Sequence, residues 1–213
     1  MRKAILAALL ALITLTAGAQ KKSQITEWDI YAGPMVGVNY STLTSLKGNW
    51  QPGPVVGGFV EVYVTPQFSI NVSASWSHVG TNHANASDSI IIKNYVPGSY
   101  SYQIDYINTV YMAKYHFNDT WAIEAGLNMG YEFTATRQRQ GNSTKYNIED
   151  HIHQGSFSIP VGVSYTINNK WQIDGTISCQ VNKLATGNVG KRLLGNSRVM
   201  GAQVTVGYRF QCM

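Results

Sequence analysis

The stretch FSINVSASWS at residues 68–77 decides the fold class. Every second residue is apolar, from Phe68 through Val72 to Trp76, and each residue between them is serine or asparagine. This alternation has the period of a β-strand, whose successive side chains point to opposite faces. One face of the strand is therefore predicted to meet an apolar phase and the other a polar one.

The same alternation recurs along the chain, and no segment after residue 20 is apolar for long enough to form a transmembrane helix. No convincing helical stripe is present either. Tight turns at 65–67, 118–120 and 168–169 alternate with long polar connections, as in outer-membrane barrels. The predicted strands are about 28–40, 54–65, 68–77, 100–117, 121–133, 156–167, 171–181 and 200–210, and the predicted long loops are 41–53, 80–99, 136–154 and 182–196.

Composition indicates which way the apolar face points. Only 13% of the residues are charged, about half the share of a soluble domain, and the polar faces carry serine, asparagine, threonine, glutamine and glycine instead. Aromatic residues cluster near the strand ends on the apolar face, for example Trp121 and Trp171 at the short-turn end and Trp76 and Tyr131 toward the other. Two such clusters are typical of the aromatic girdles at membrane interfaces.

These features predict an all-β protein: an eight-stranded antiparallel up-and-down transmembrane β-barrel with short periplasmic turns and four long extracellular loops. Lipid excludes open sheet edges, so the strands must close into a ring. The alternative is a soluble barrel of the lipocalin kind, in which the apolar face points inward.

The first residues have the pattern of an export signal. Arg2 and Lys3 precede an apolar run at 4–15, and Ala17-Gly18-Ala19 is a small-residue cleavage site. We therefore predict a cleaved signal peptide at 1–19, a barrel domain at 20–213 and a location in the outer membrane of a Gram-negative cell. Without Arg2 and Lys3 the chain keeps 14 basic against 11 acidic residues, a charge of +3 with no basic run, so no nucleic-acid partner is predicted.

Four segments resemble the PorT-like outer-membrane β-barrel proteins of the porin family, common in Bacteroidetes. They are GGFVE at 57–61, the glycine-rich segment 125–131, YINTVYMAKYHF at 106–117 and the closing segment 204–210. The resemblance covers essentially the whole mature chain. It implies the fold and the outer-membrane location, and one branch of that family contributes to protein secretion.

The resemblance also has departures. The family usually carries an acidic residue and a proline in its fourth strand, where this chain has Asn108 and Val110. The aromatic near the end of the last strand, which the barrel-assembly machinery reads during insertion, corresponds to Phe210, and Gln211-Cys212-Met213 follow it. The resemblance thus implies the assembly machinery as a partner during insertion, and outer-membrane lipids and lipopolysaccharide as surroundings.

Six charged residues fall on the polar faces and are predicted to meet in the lumen. An eight-stranded barrel has an interior only wide enough for side chains, which favours a buried network of ion pairs and hydrogen bonds. The alternative is an ion or proton path. The six residues are Glu61, Lys114, Glu124, Glu132, Asp174 and Arg209.

The long loops are the candidate contact surface, since binding residues favour loops on a rigid scaffold. Tyrosine and arginine side chains there suit contact with proteins or with anionic lipopolysaccharide. The leading hypothesis is a structural or interaction barrel, or an accessory subunit of an envelope complex such as a secretion machine. The runner-up is a narrow channel for ions or small solutes. The predicted contact residues are Tyr95, Tyr100, Tyr102, Arg137 and Arg139.

Residues that could carry catalysis or hold a metal form no recognisable motif. Ser87, His83 and Asp88 have the types that a lipid-modifying enzyme at the barrel rim would need, but no GxSxG elbow appears. Cys179 and Cys212 lie at opposite barrel ends, too far apart for a disulfide. We therefore predict no catalytic, cofactor or metal site and no enzymatic activity. The histidines considered as metal ligands are His78, His83, His151 and His153.

Overall fold

The structure, a computed structural model, describes residues 25–85 and 99–212. Eight long antiparallel strands each pair with the next in sequence, and the last pairs with the first to close a ring. This confirms the predicted eight-stranded barrel. The strands are β1 Ile30–Leu43, β2 Asn49–Thr65, β3 Phe68–Asn85, β4 Ser99–His116, β5 Trp121–Arg139, the short β6 Lys145–Asn147, β7 Gly155–Ile167, β8 Trp171–Gln180, β9 Val199–Tyr208 and the two-residue β10 Phe210–Gln211.

The seam between the first and last strands depends on close backbone approach. β1 pairs with β9 from Met35 opposite Gly207 to Leu43 opposite Val199, and β10 continues the pairing at Ala32 and Phe210. A Cβ atom at Gly33 would collide with the carbonyl oxygen of Tyr208. Glycine therefore lets the two backbones meet where the ring closes.

The apolar face points outward along every long strand. Val36 is 57% exposed, Ile177 62% and Leu127 54%, whereas Met35 beside Val36 is buried at 7% and the inward neighbours of Ile177 and Leu127 are small or polar. Aromatic rings pack together on this outer face at both ends of the barrel. Trp171 and Tyr208 meet at 4.9 Å near the short turns, and Tyr40 stacks on Trp50 at 5.5 Å near the long loops. These contacts have the arrangement of two interfacial girdles.

On one side of the barrel the strands are longer than the apolar–polar alternation in the sequence predicts. β2 to β5 contain 17 to 19 residues each, whereas β8 and β9 contain 10. The predicted loop 41–53 is only the turn 44–48, since β1 and β2 continue into it. Strand pairing goes on above the membrane, where the outer face no longer needs apolar residues, so the pattern ends before the strands do.

The loop after β8 contains a helix that the sequence did not indicate. Helix α1 spans Gly187–Leu194, and a 3₁₀ turn spans Glu149–His151. Among the described residues, no helix has the length and apolarity needed to cross a membrane. The predicted signal peptide at 1–19 and residues 86–98 lie outside the described part of the chain.

Candidate functional site: a barrel closed by ion pairs and a folded cap

Lys114 is the centre of a charged cluster in the lower lumen, the part next to the short turns. Its Nζ atom lies 3.3 Å from Glu124 Oε2 and 3.1 Å from Asp174 Oδ1, and it donates to Ser164 Oγ at 3.3 Å. Lys114 and Glu124 are almost fully buried. The cation thus stabilises two carboxylates that come from neighbouring and opposite strands.

Arg209 and Glu61 form a second cluster at the same end. Arg209 Nη2 lies 3.3 Å from Glu61 Oε2 and donates to Tyr63 Oη at 3.0 Å. The guanidinium also covers the ring of Tyr31, with 4.1 Å from Cζ to the ring centroid. Because Arg209 lies between β9 and β10, this cluster fastens the closing strand to the barrel interior.

A serine and a histidine complete the contacts of Glu61. Ser69 Oγ donates to Glu61 Oε1 at 2.6 Å, and His116 Nε2 lies 2.8 Å from the same hydroxyl. The ring of His116 packs on that of Tyr63 at 4.9 Å. Ser69, His116 and Glu61 are therefore near one another, but the serine hydroxyl donates directly to the carboxylate. This arrangement stabilises a hydrogen-bond network and does not activate the serine as a nucleophile.

The structure places all six predicted lumenal residues inside the barrel, but it brings only five of them together. Glu132 is 2% exposed and forms none of the ion pairs found among the described residues. It lies opposite Tyr106 in the β4–β5 ladder, toward the end of the barrel with the long loops. Glu132 is therefore separate from the network around Lys114 and Arg209.

A cavity of about 120 Å³, lined by polar and apolar side chains, lies in the lumen. Asn71, Asn108 and Asn128 line it together with serines from β3 and β7. Asn108 Nδ2 donates to Ser77 Oγ at 2.8 Å, and Asn128 Nδ2 donates to Ser158 Oγ at 3.2 Å. Lys114, Glu124 and Asp174 line the same cavity at its lower end.

The upper lumen is filled by apolar side chains from the loops. Leu184 and Leu194 are fully buried, and they pack in one cluster with Tyr102 and Ile104 on the inner face of β4. We call the unit formed by residues 44–48, 140–154 and 181–198 the cap. The other cluster members are Leu43, Leu46, Ala84, Tyr100, Tyr106, Ala135, Ile148, Ile152, Ala185 and Leu193.

Backbone hydrogen bonds join the three loops of the cap. Thr44 N donates to the carbonyl of Arg198 at 3.1 Å, and Thr186 N donates to that of His151 at 3.0 Å. Ile148 N donates to the carbonyl of Ala135 on β5 at 2.9 Å, which fastens the cap to the barrel. α1 packs so closely on the 3₁₀ turn that a Cβ atom at Gly190 would collide with the carbonyl oxygen of His151. The cap is thus a packed element that covers the outer opening.

The predicted contact residues that the structure describes lie in strands and not in loops. Tyr100 and Tyr102 do not lie in a loop; they lie in β4, where they pair with both β3 and β5. Their side chains point inward and are 4% and 0% exposed. Arg137 and Arg139 lie in β5, and Tyr95 is outside the described residues.

A bulge in β5 explains the position of Arg137. The register with β4 shifts between Glu132 and Thr134, so the inward side chains change from even to odd positions. The guanidinium of Arg137 therefore lies between the rings of Tyr100 and Tyr146, 5.4 and 5.8 Å from their centroids.

The residues considered for catalysis or metal binding are dispersed. His78 is in β3 and bonds to Asp105 Oδ1 through Nδ1 at 2.8 Å, and His83 Nε2 lies 2.8 Å from Gln140 Nε2. Ser87 and Asp88 fall outside the described residues. Within the described ranges, no group of three or more metal-ligating side chains is arranged to hold an ion. Cys179 and Cys212 are free and exposed.

Comparison with known proteins defines the class. The chain belongs to the outer membrane protein beta-barrel domain family, whose model matches residues 7–210. It is therefore an outer-membrane β-barrel protein. No curated protein sequence matches it significantly.

Two solved structures share the fold. One is Ail, the attachment invasion locus protein of Yersinia pestis, whose structure was solved in complex with the heparin analogue sucrose octasulfate. The two sequences are 13% identical, and the structural alignment covers 85% of this chain and 99% of Ail with a TM-score of 0.51. The other is Neisserial surface protein A, which is 10% identical in sequence. Its alignment covers 85% of this chain and 97% of Neisserial surface protein A, with a TM-score of 0.52. At these identities the likeness concerns the fold alone.

Sequence reasoning missed the cap. Its signal was a set of apolar residues, such as Leu184, Leu193 and Leu194, inside segments that are otherwise polar loops. Exposed loops rarely carry paired leucines unless they bury them.

Proposed function

We propose that this protein is a closed interaction barrel, a rigid scaffold exported by the signal peptide at 1–19 that presents its cap to a protein partner in an envelope complex. The cap is the observation that carries the proposal. Loops that only connect strands need no buried apolar cluster, yet here Leu184 and Leu194 of the cap are completely enclosed. Ordering these loops beforehand reduces the entropy lost when a partner binds.

The outer surface of the cap has residues of the kind that anchor protein interfaces. Val189 on α1 is 41% exposed and Tyr146 on β6 is 44% exposed, both beyond the lipid-facing girdles. Tyr146 also contacts the guanidinium of Arg137. Tyrosine and arginine are enriched at interface centres, which supports a protein partner.

The resemblance to PorT-like proteins supports a secretion machine as the first candidate complex. It rests on segments such as 57–61 and 106–117. The family match extends over residues 7–210 and is compatible with this assignment at the level of the barrel domain.

Extraction from native outer membranes in mild detergent tests the proposal. We expect the tagged wild-type protein to bring down one partner in stoichiometric amount. The double variant Tyr146→Ser with Val189→Ser should lose it. The control Asn142→Ala with Asn196→Ala changes two exposed polar residues of the cap and should keep it. Recovery of the wild-type protein alone would refute the proposal.

A narrow channel is the second candidate, and the lumenal cavity of about 120 Å³ favours it. A solute would have to pass the Lys114 cluster on one side and the apolar cluster around Leu184 on the other. Conductance of the refolded protein in planar bilayers distinguishes the two candidates, because only a channel should conduct ions.

A further inference from the structure

Five exposed basic side chains are concentrated on two of the three described loops of the cap. The segments 44–48 and 181–198 contain no acidic residue, whereas the loop 140–154 balances Lys145 with Glu149 and Asp150. None of the five forms an ion pair with a described residue. We call them the basic patch: Lys47, Lys183, Lys191, Arg192 and Arg198.

Backbone contacts place Lys47, Lys183 and Arg198 of the basic patch on neighbouring segments. Arg198 N donates to Thr44 Oγ1 at 3.2 Å, which joins the strand leading into β9 to the turn that contains Lys47. Leu184 N donates to the carbonyl of Ser197 at 2.9 Å, so Lys183 lies beside Arg198. These three positive charges therefore act together rather than as separate surface residues.

The basic patch begins at the upper edge of the lipid-facing surface. Arg198 continues the outward row of β9, in which Met200 is 43% exposed and Val204 50%. Arg198 and Tyr208, which belongs to the lower girdle, are ten positions apart in the sequence. Ten residues of strand rise about 33 Å, or about 25 Å when tilted by roughly 40°, which equals the usual height of the apolar band.

The upper girdle lies directly beneath the patch. Tyr40 pairs with Ala202 in the β1–β9 ladder and stacks on Trp50 at 5.5 Å. Aromatic rings of this kind mark the headgroup level of a membrane. Cations just above them face the layer that holds lipid phosphates.

We propose that Lys47, Lys183 and Arg198, with Lys191 and Arg192 at the margin, bind the phosphate groups of a phosphorylated glycolipid in the outer leaflet. Guanidinium groups bind phosphate oxygens in a bidentate manner, and ammonium groups contribute compact charge. This inference depends on the outer-membrane location and not on the protein partner proposed above.

Native mass spectrometry of the detergent-solubilised full chain, titrated with bisphosphorylated lipid A, tests the site. The variant Lys47→Gln, Lys183→Gln, Arg198→Gln should bind about 100-fold more weakly, since each cation near an anionic surface contributes about fivefold. The control Lys145→Gln, Lys170→Glu removes the same three units of positive charge outside the patch, at two exposed residues, and should bind almost as the wild type does. Thermal unfolding of both variants verifies that each is folded.

Three outcomes would overturn the proposal. Equal weakening in both variants would show a general charge effect, and equal binding of lipid A without phosphates would remove the phosphate contact. A soluble sulfated oligosaccharide that binds the patch as tightly as lipid A would make the ligand a glycan instead of a lipid.

Discussion

Lys114 in the lower lumen faces Glu124 and Asp174 within 3.3 Å. Replacement by methionine keeps most of the volume but leaves two carboxylates in a buried site without their cation. We predict that Lys114→Met lowers the free energy of unfolding by about 3–5 kcal/mol, the usual cost of removing one partner of a buried pair. Urea unfolding of the protein refolded into vesicles measures this change.

Rescue separates the charge effect from a packing effect. If Glu124→Gln and Asp174→Asn are added to Lys114→Met, the uncompensated charges are gone and most of the stability should return. A triple variant no more stable than the single one would show that packing, not charge, determines the role of Lys114.

At this scale the sequence predicted which residues point inward but not which ones meet. Period-two alternation is enough to place Lys114 and Asp174 in the lumen. Their contact joins residues 60 positions apart, on β4 and β8. Which strands face each other across the lumen depends on tilt and stagger, which a single sequence does not specify.

α1 and the 3₁₀ turn meet at Gly190, where no side chain fits. In an exposed helix, alanine would stabilise by about 1 kcal/mol relative to glycine. Here we expect Gly190→Ala to separate α1 from the 3₁₀ turn and open the cap. Limited proteolysis should then cleave within 140–154 and 181–198 while the strands stay intact.

Asn188→Ala is the matched control, because Asn188 lies in the same helix and is exposed. It should leave the cap as resistant to protease as the wild type. A Gly190→Ala protein with wild-type resistance would contradict the tight packing that we describe for the cap.

The strands were predictable only where lipid imposes a pattern. In β3 the alternation ends at Ser77, yet the strand continues to Asn85, because beyond the membrane only hydrogen bonding maintains it. α1 was missed since it has only eight residues, two of them glycine, which is too short a segment for a helical apolar period to be recognised. Its boundaries nevertheless carry a sequence signal in Gly187 and Gly195, which both adopt positive φ.

The outward apolar face makes the whole molecule dependent on lipid. Ile177 is 62% exposed near the middle of β8, where a membrane barrel contacts the bilayer core. We predict that Ile177→Arg destabilises the protein by about 2–4 kcal/mol, whereas Val181→Arg at the rim costs about 0–1 kcal/mol. Equal effects at both positions in vesicle unfolding experiments would contradict the proposed membrane level.

The complete barrel has a polar middle between two closed ends. The charged clusters of Lys114 and Arg209 fill the end with the short turns, and the apolar cluster around Leu184 fills the other. The sequence predicted the first closure through its inward charges. It did not predict the second, because the buried side chains come from separate loops and follow no common period.

Conductance of the refolded protein in planar bilayers tests the closed barrel most directly. The account predicts no conductance steps above the lipid baseline at moderate voltage, since both ends of the lumen are filled by side chains. A water-filled porin in the same bilayers serves as the positive control. Reproducible ion-conducting steps from the wild-type barrel would contradict the closed lumen and make a channel the better description.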